Sequence, residues 1–154
     1  MRPIVFALAC LLAAGPARAA TYDLSPEGNA KFLADFAKLP GVTKLKDGLM
    51  YRVVKPGDGH GTSPIGRQDI AVVEYKGWLI DGTVFDATKG DPRRFPAGSV
   101  IAGWTEALYK MKTGDEWQLV IPANLAYGAE GKGGVIPPNQ TLVFLVRLDG
   151  VEYP

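Results

Sequence analysis

The sequence predicts an α+β fold: a mostly antiparallel sheet with one face packed on a single short helix, preceded by a short helical extension. Three observations carry this. Only two segments space their apolar residues as a helix does, whereas most of the rest alternates apolar and polar residues, the period of strands. The strand-like segments follow one another without the βαβ alternation of a parallel sheet. The 19 glycines and 12 prolines among 154 residues suit a loop-rich fold containing β-structure rather than a helical bundle.

Ser25-Pro26-Glu27 opens the first helix: serine caps, proline suits the first position, and glutamate suits the positive end. Ala30, Phe32, Leu33, Phe36 and Ala37 form its apolar stripe, and Pro40-Gly41 ends it. This stripe reads as a surface packed on its own domain rather than as a dimer contact. A strand follows over Leu49–Val54, closed by the turn cluster Pro56-Gly57-Asp58-Gly59. Asp69–Ile80 is a long strand with Ala71, Val73, Tyr75, Gly77 and Leu79 on one face and Glu74 and Lys76 on the other. Asp81-Gly82 is a hairpin signal, and Val84-Phe85-Asp86 starts the return strand. Ala87–Arg94 is polar and reads as a loop. Gly103–Met111 is the second helix, with Trp104, Leu108 and Met111 on one side. Glu116–Pro122 is a strand, Ala123–Gln140 a long loop, and Thr141–Val151 the last strand, with Leu142, Phe144, Val146 and Leu148 inward. A loop of that length in a small domain points to function.

Residues 1–19 stand apart. Arg2, the apolar run Ile4–Ala14, the Gly15-Pro16 break and Ala17-Arg18-Ala19 have the pattern of a secretory signal peptide, with the mature chain starting at Ala20. The run is too short to span a membrane as a helix, so no membrane anchor is expected after cleavage. Cleavage removes Arg2, Arg18 and the sole cysteine, Cys10, leaving a chain near neutrality. That excludes thiol chemistry and cysteine-ligated metals, and it gives no support to nucleic-acid binding through a general positive field.

The single histidine, His60, lies in a glycine-rich turn, which makes a zinc site improbable. No serine has a nucleophile-elbow context, and Gly131-Lys132-Gly133-Gly134 lacks the spacing of a phosphate-binding loop. What remains is aromatic: Tyr75, Phe85, Trp104, Tyr127 and Phe144, flanked by Val100, Ile101, Val135 and Ile136. Periodicity alone reads these side chains as the core of a small domain.

Motifs add to that reading. Val73-Glu74-Tyr75-Lys76-Gly77-Trp78-Leu79 with Asp81-Gly82-Thr83-Val84-Phe85-Asp86, then Val100-Ile101-Ala102-Gly103-Trp104-Thr105-Glu106-Ala107-Leu108, Ala126-Tyr127-Gly128-Ala129, Ile136-Pro137-Pro138-Asn139 and Thr141-Leu142-Val143-Phe144, resemble in order the motifs of the FKBP-type peptidyl-prolyl cis–trans isomerases. The similarity covers roughly Gly48–Val151. The preceding helix and leader resemble the exported bacterial branch, which includes proteins similar to the macrophage infectivity potentiator. The resemblance implies a twisted antiparallel sheet wrapped around one short helix. It also implies three parts: signal peptide 1–19, helical extension 20–47 and isomerase domain 48–154.

It further implies rotamase activity on Xaa-Pro bonds of exported proteins, most simply in the periplasm, with proline-containing polypeptides as substrates and macrolides such as tacrolimus or rapamycin as ligands. The alternative is a peptide-binding or chaperone module that uses the same pocket with little catalysis. By resemblance Trp104 is the pocket floor, Tyr75, Phe85, Val100, Ile101 and Phe144 are walls, Ile136 belongs to the closing flap, and Asp86 and Tyr127 are polar members. The Ile101 N–H would contact a substrate carbonyl, and Asp86 could accept from Tyr75. Because prolyl isomerisation makes and breaks no covalent bond, no cofactor, metal or acid–base pair is implied. Arg93-Arg94 stand where many members carry aromatic or apolar residues, and Lys132 stands in the flap; at the rim these three would favour acidic peptides.

Overall fold

The computed structural model describes residues 22–154, so the expected leader lies outside the described residues. Helix α1 (Pro26–Ala37) is followed by strands β1 (Val42–Lys44), β2 (Met50–Lys55), β3 (Ile70–Leu79), β4 (Val84–Ala87) and β5 (Arg93–Pro96). Helix α2 (Ala102–Lys110), strand β6 (Glu116–Ile121), a single 3₁₀ turn at Ala123–Leu125 and strand β7 (Leu142–Glu152) complete the order. All strand pairs are antiparallel, in the order β1-β2-β6-β7-β3-β4, with β5 pairing the opening half of β3.

The expected α+β architecture is present, with two differences at its edges. Arg93 and Arg94 pair with Val73 and Val72, so the polar stretch 87–94 ends inside an edge strand. Its charges fit there because an edge strand leaves its outer side in solvent. The three-residue β1 was not anticipated; it pairs Val42 with Arg52 immediately after the Pro40-Gly41 stop.

Each sheet face has its own core. Val73, Tyr75 and Leu79 of β3, Trp117, Leu119 and Ile121 of β6, and Leu142, Phe144, Val146 and Leu148 of β7 pack with Trp104, Ala107 and Leu108 of α2. Gly103 lets α2 approach closely, since a Cβ there would lie 2.5 Å from Ile121 Cγ2. The opposite face presents Trp78, Ile80, Val120 and Val143, which pack with Phe32 and Phe36 of α1 together with Tyr22 and Leu39. Ser25 caps α1 by accepting from the Gly28 N–H at 3.0 Å. Burying each large apolar side chain contributes about 1.5–3 kcal/mol, so α1 is held by Phe32 and Phe36 against the sheet.

A buried amide pair ties α1 to the start of β7. Asn29 Nδ2 donates to Gln140 Oε1 at 3.1 Å, and Asn29 Oδ1 accepts the Thr141 N–H at 2.8 Å. Gln140 Nε2 donates to the carbonyls of Leu24 and Pro138. The loop between β6 and β7 is therefore anchored at its last residue. It is also less structureless than its sequence suggests. Lys132 and Ile136 form an isolated antiparallel bridge, with the Lys132 N–H to Ile136 C=O at 2.8 Å and the return bond at 2.9 Å. Gly131 is required at its entry: its φ is +66°, and a Cβ would lie 2.3 Å from the Ile136 carbonyl oxygen.

Candidate active site

A cavity of about 710 Å³ opens at the end of α2, between β3–β5 on one side and the β6–β7 loop on the other. It gathers all nine residues singled out in the sequence: Tyr75, Phe85, Asp86, Val100, Ile101, Trp104, Tyr127, Ile136 and Phe144. Arg93, Lys132 and Val135, also noted in the sequence at the rim or beside the rings, line it as well, and the structure adds Phe95 and Ser99.

The floor is built edge to face. Trp104, in the first turn of α2, meets Tyr75 at 5.0 Å between centroids and an interplanar angle of 88°, Phe144 at 5.3 Å and 83°, and Phe95 at 6.1 Å and 86°. Phe85 meets Phe144 at 5.5 Å and 88°. Ring quadrupoles favour such T-shaped contacts. Strand alternation produces the arrangement, since Tyr75 and Gly77 share one face of β3 and Gly77 pairs with Phe144 of β7. Gly77 has to lack a side chain, because a Cβ would lie 2.7 Å from Phe85 Cζ and 2.8 Å from Phe144 Cε1. Trp104 Nε1 is buried with no hydrogen-bond partner among the described residues.

The polar side of the cavity is a closed triangle. The Tyr75 hydroxyl donates to Asp86 Oδ2 at 2.5 Å. Arg93 Nη1 donates to the Tyr75 oxygen at 2.7 Å and to Asp86 Oδ1 and Oδ2 at 3.2 and 3.3 Å. The Ala87 N–H gives Asp86 Oδ1 a further donor at 2.9 Å. Asp86 is thus a structural acceptor with both oxygens occupied. Burial, then the hydrogen bond to Asp86, pushes the Tyr75 hydroxyl above its ordinary pKa, so it remains a donor across the neutral range. The Tyr127 hydroxyl, by contrast, makes no hydrogen bond among the described residues. The Ile101 N–H, at the N-cap of α2, likewise donates to no group among them. Both are therefore open to a ligand.

One rim residue was placed differently by sequence, and one ring of the cavity was missed. Arg94 lies on the other side of β5 from Arg93 and pairs with Glu152 at 2.8 Å, so only Arg93 lines the cavity. Phe95, two residues after Arg93 and therefore on its face, completes the ring cluster. The period-two pattern Arg93, Phe95 was the signal that could have found both.

Comparison with known proteins places this geometry. The family described as FKBP-type peptidyl-prolyl cis-trans isomerase matches residues 61–149, which carry every lining residue of the cavity. The chain belongs to that family. It is 43% identical over 141 residues to the outer membrane protein MIP of Legionella longbeachae, covering 88% of this chain and 59% of that protein. It is 46% identical over 127 residues to the FKBP-type 22 kDa peptidyl-prolyl cis-trans isomerase of Escherichia coli K12, covering 81% and 60%. The crystal structure of a peptidyl-prolyl cis-trans isomerase from Pseudomonas syringae pv. tomato superposes with a TM-score of 0.76 at 41% identity, covering 82% of this chain and 92% of that one. The chain spans little more than half the length of the curated relatives it matches.

Proposed function

We propose that this FKBP-type chain is a peptidyl-prolyl cis–trans isomerase that accelerates Xaa-Pro isomerisation during the folding of exported proteins. The observation that carries the reading is the Trp104-floored cavity, walled by Tyr75, Phe85, Phe95 and Phe144 set edge to face. A pyrrolidine ring is an apolar body of the size such walls grip. The barrier to rotation is the loss of amide resonance, about 18–20 kcal/mol. A planar amide is strongly polar and a twisted one less so, hence an apolar cavity favours the twisted state relative to the planar one. The Ile101 N–H and the Tyr127 hydroxyl are donors that can hold the substrate carbonyl while the bond turns.

In this reading Tyr75, Phe85, Asp86 and Tyr127 carry the catalytic effect, and Val100, Ile101, Trp104, Ile136 and Phe144 hold the proline. Residues 48–154 act as the isomerase domain, residues 20–47 as a helical extension docked on it, and residues 1–19 direct export, with the periplasm as destination. Among the described residues no helix is long and apolar enough to cross a membrane. The test is a protease-coupled isomerisation assay on a Leu-Pro peptide with the wild type and a Trp104→Leu variant whose folding is checked by circular dichroism. Acceleration by the wild type and its loss in folded Trp104→Leu are expected. Equal acceleration by both would refute the assignment of the cavity.

A further inference from the structure

We infer that, among charged residues flanking the substrate proline, the site favours a carboxylate over an ammonium, selected by Lys132. This rests on the isomerase reading and names its substrate class. Three charged side chains line the cavity: Asp86, Arg93 and Lys132. Asp86 and Arg93 largely cancel, because they form an ion pair at 3.2 Å and Asp86 has both oxygens filled by donors. Lys132 has no such partner: no carboxylate lies within 4.0 Å of its ammonium among the described residues. The cavity therefore presents one uncompensated positive charge.

That charge stands at the rim, exposed to solvent yet in contact with the cavity wall. Lys132 Nζ sits 5.6 Å from the centroid of Tyr127, a cation–π contact. Its backbone is fixed by two hydrogen bonds to Ile136, itself a lining residue. An ammonium positioned beside the proline slot attracts a neighbouring carboxylate and repels a neighbouring ammonium, while the aromatic floor is indifferent to both. The site is open to water, so the effect is that of an exposed pair, about three- to fivefold in rate constant. It should also be screened by salt, as pairs in the buried interior are not.

The test measures kcat/KM on Glu-Pro, Lys-Pro and Leu-Pro peptides, and on a matched pair with Glu or Lys after the proline. The full chain is used at low and high ionic strength, as wild type, Lys132→Gln and Lys132→Glu. At low salt the wild type is expected to favour glutamate over lysine about three- to fivefold in at least one flanking position, with the ratio falling toward one at high salt. Lys132→Gln should abolish the preference and Lys132→Glu should reverse it. A glutamate-to-lysine ratio near one in both positions, or a ratio unmoved by both substitutions, overturns the inference. Absence of acceleration on every peptide, Leu-Pro included, would instead defeat the isomerase reading beneath it.

Discussion

Tyr75 and Asp86, from the two strands that meet at the Asp81-Gly82 hairpin, are joined by a 2.5 Å hydrogen bond that Arg93 caps from a third strand. The bond fixes the rim of Tyr75, whose ring stands at 88° to the Trp104 floor. It also removes the Tyr75 proton from the donors open to substrate. The two tyrosines of the cavity therefore do different work, one positioned by its hydroxyl and the other presenting its hydroxyl.

Tyr127→Phe removes a donor that has no partner among the described residues. Its kcat/KM on a Leu-Pro peptide is expected to fall about three- to tenfold, the worth of one hydrogen bond, with the melting temperature unchanged. Asp86→Ala leaves Tyr75 and Arg93 without their acceptor, so it should lower both kcat/KM and the melting temperature. If neither substitution altered kcat/KM, the polar part of the mechanism would be wrong.

Gly77→Ala places a methyl group where Phe85 and Phe144 already lie within 2.8 Å. We expect a loss of about 1–3 kcal/mol in urea unfolding, the usual cost of overpacking. Proline-peptide turnover should also fall, because those two rings are cavity walls. A variant as stable as the wild type would show that the rings are free to move apart.

Asn29→Ala deletes the acceptor of the buried Thr141 N–H and the donor to Gln140. Leaving such groups unpaired costs about 1–3 kcal/mol. Unfolding should remain a single transition, since α1 shares a core with Trp78, Ile80, Val120 and Val143. Separate melting of an N-terminal element would contradict that packing.

Glu106, on α2 two residues beyond the floor residue Trp104, is pushed up to about 7, first by burial and then by the neighbouring Asp47 carboxylate, with Lys110 opposing. Asp47 is held below the usual carboxylate range, chiefly by its hydrogen bond with Glu106. The folded chain thus holds the Glu106 proton more tightly than the unfolded chain. The stability this gives is complete below the ordinary glutamate pKa and is lost as pH rises to about 7. Asp47 acts in the opposite sense, its contribution fading as pH falls below the ordinary aspartate range. Melting temperatures between pH 5 and 8 should fall less steeply in Glu106→Gln than in the wild type. An identical slope would argue against the raised Glu106 pKa.

Much of this site was legible in sequence because it lies on regular alternation. Tyr75, Phe85 and Phe144 follow the period of their strands, Trp104 lies on the apolar side of a short helix, and the linked motifs fixed their order. Arg93 was harder. A charge pair next to an aromatic residue reads as loop, and only the pairing of Arg93 with Val73 turns it toward Tyr75. The Asn29–Gln140 contact joins residues 111 positions apart, and no local pattern announces which amide a buried asparagine will meet. The internal bridge of the β6–β7 loop was hidden for a similar reason: its glycines mark a turn without saying what the turn closes on.

The most direct measurement is a titration of the isomerase assay with tacrolimus, using the full chain and a Leu-Pro peptide. The account predicts acceleration that falls to the uncatalysed rate at one equivalent of macrolide, since drug and proline would compete for the Trp104 floor. Acceleration that persists with the macrolide bound, or no acceleration by protein shown to be folded, would contradict it.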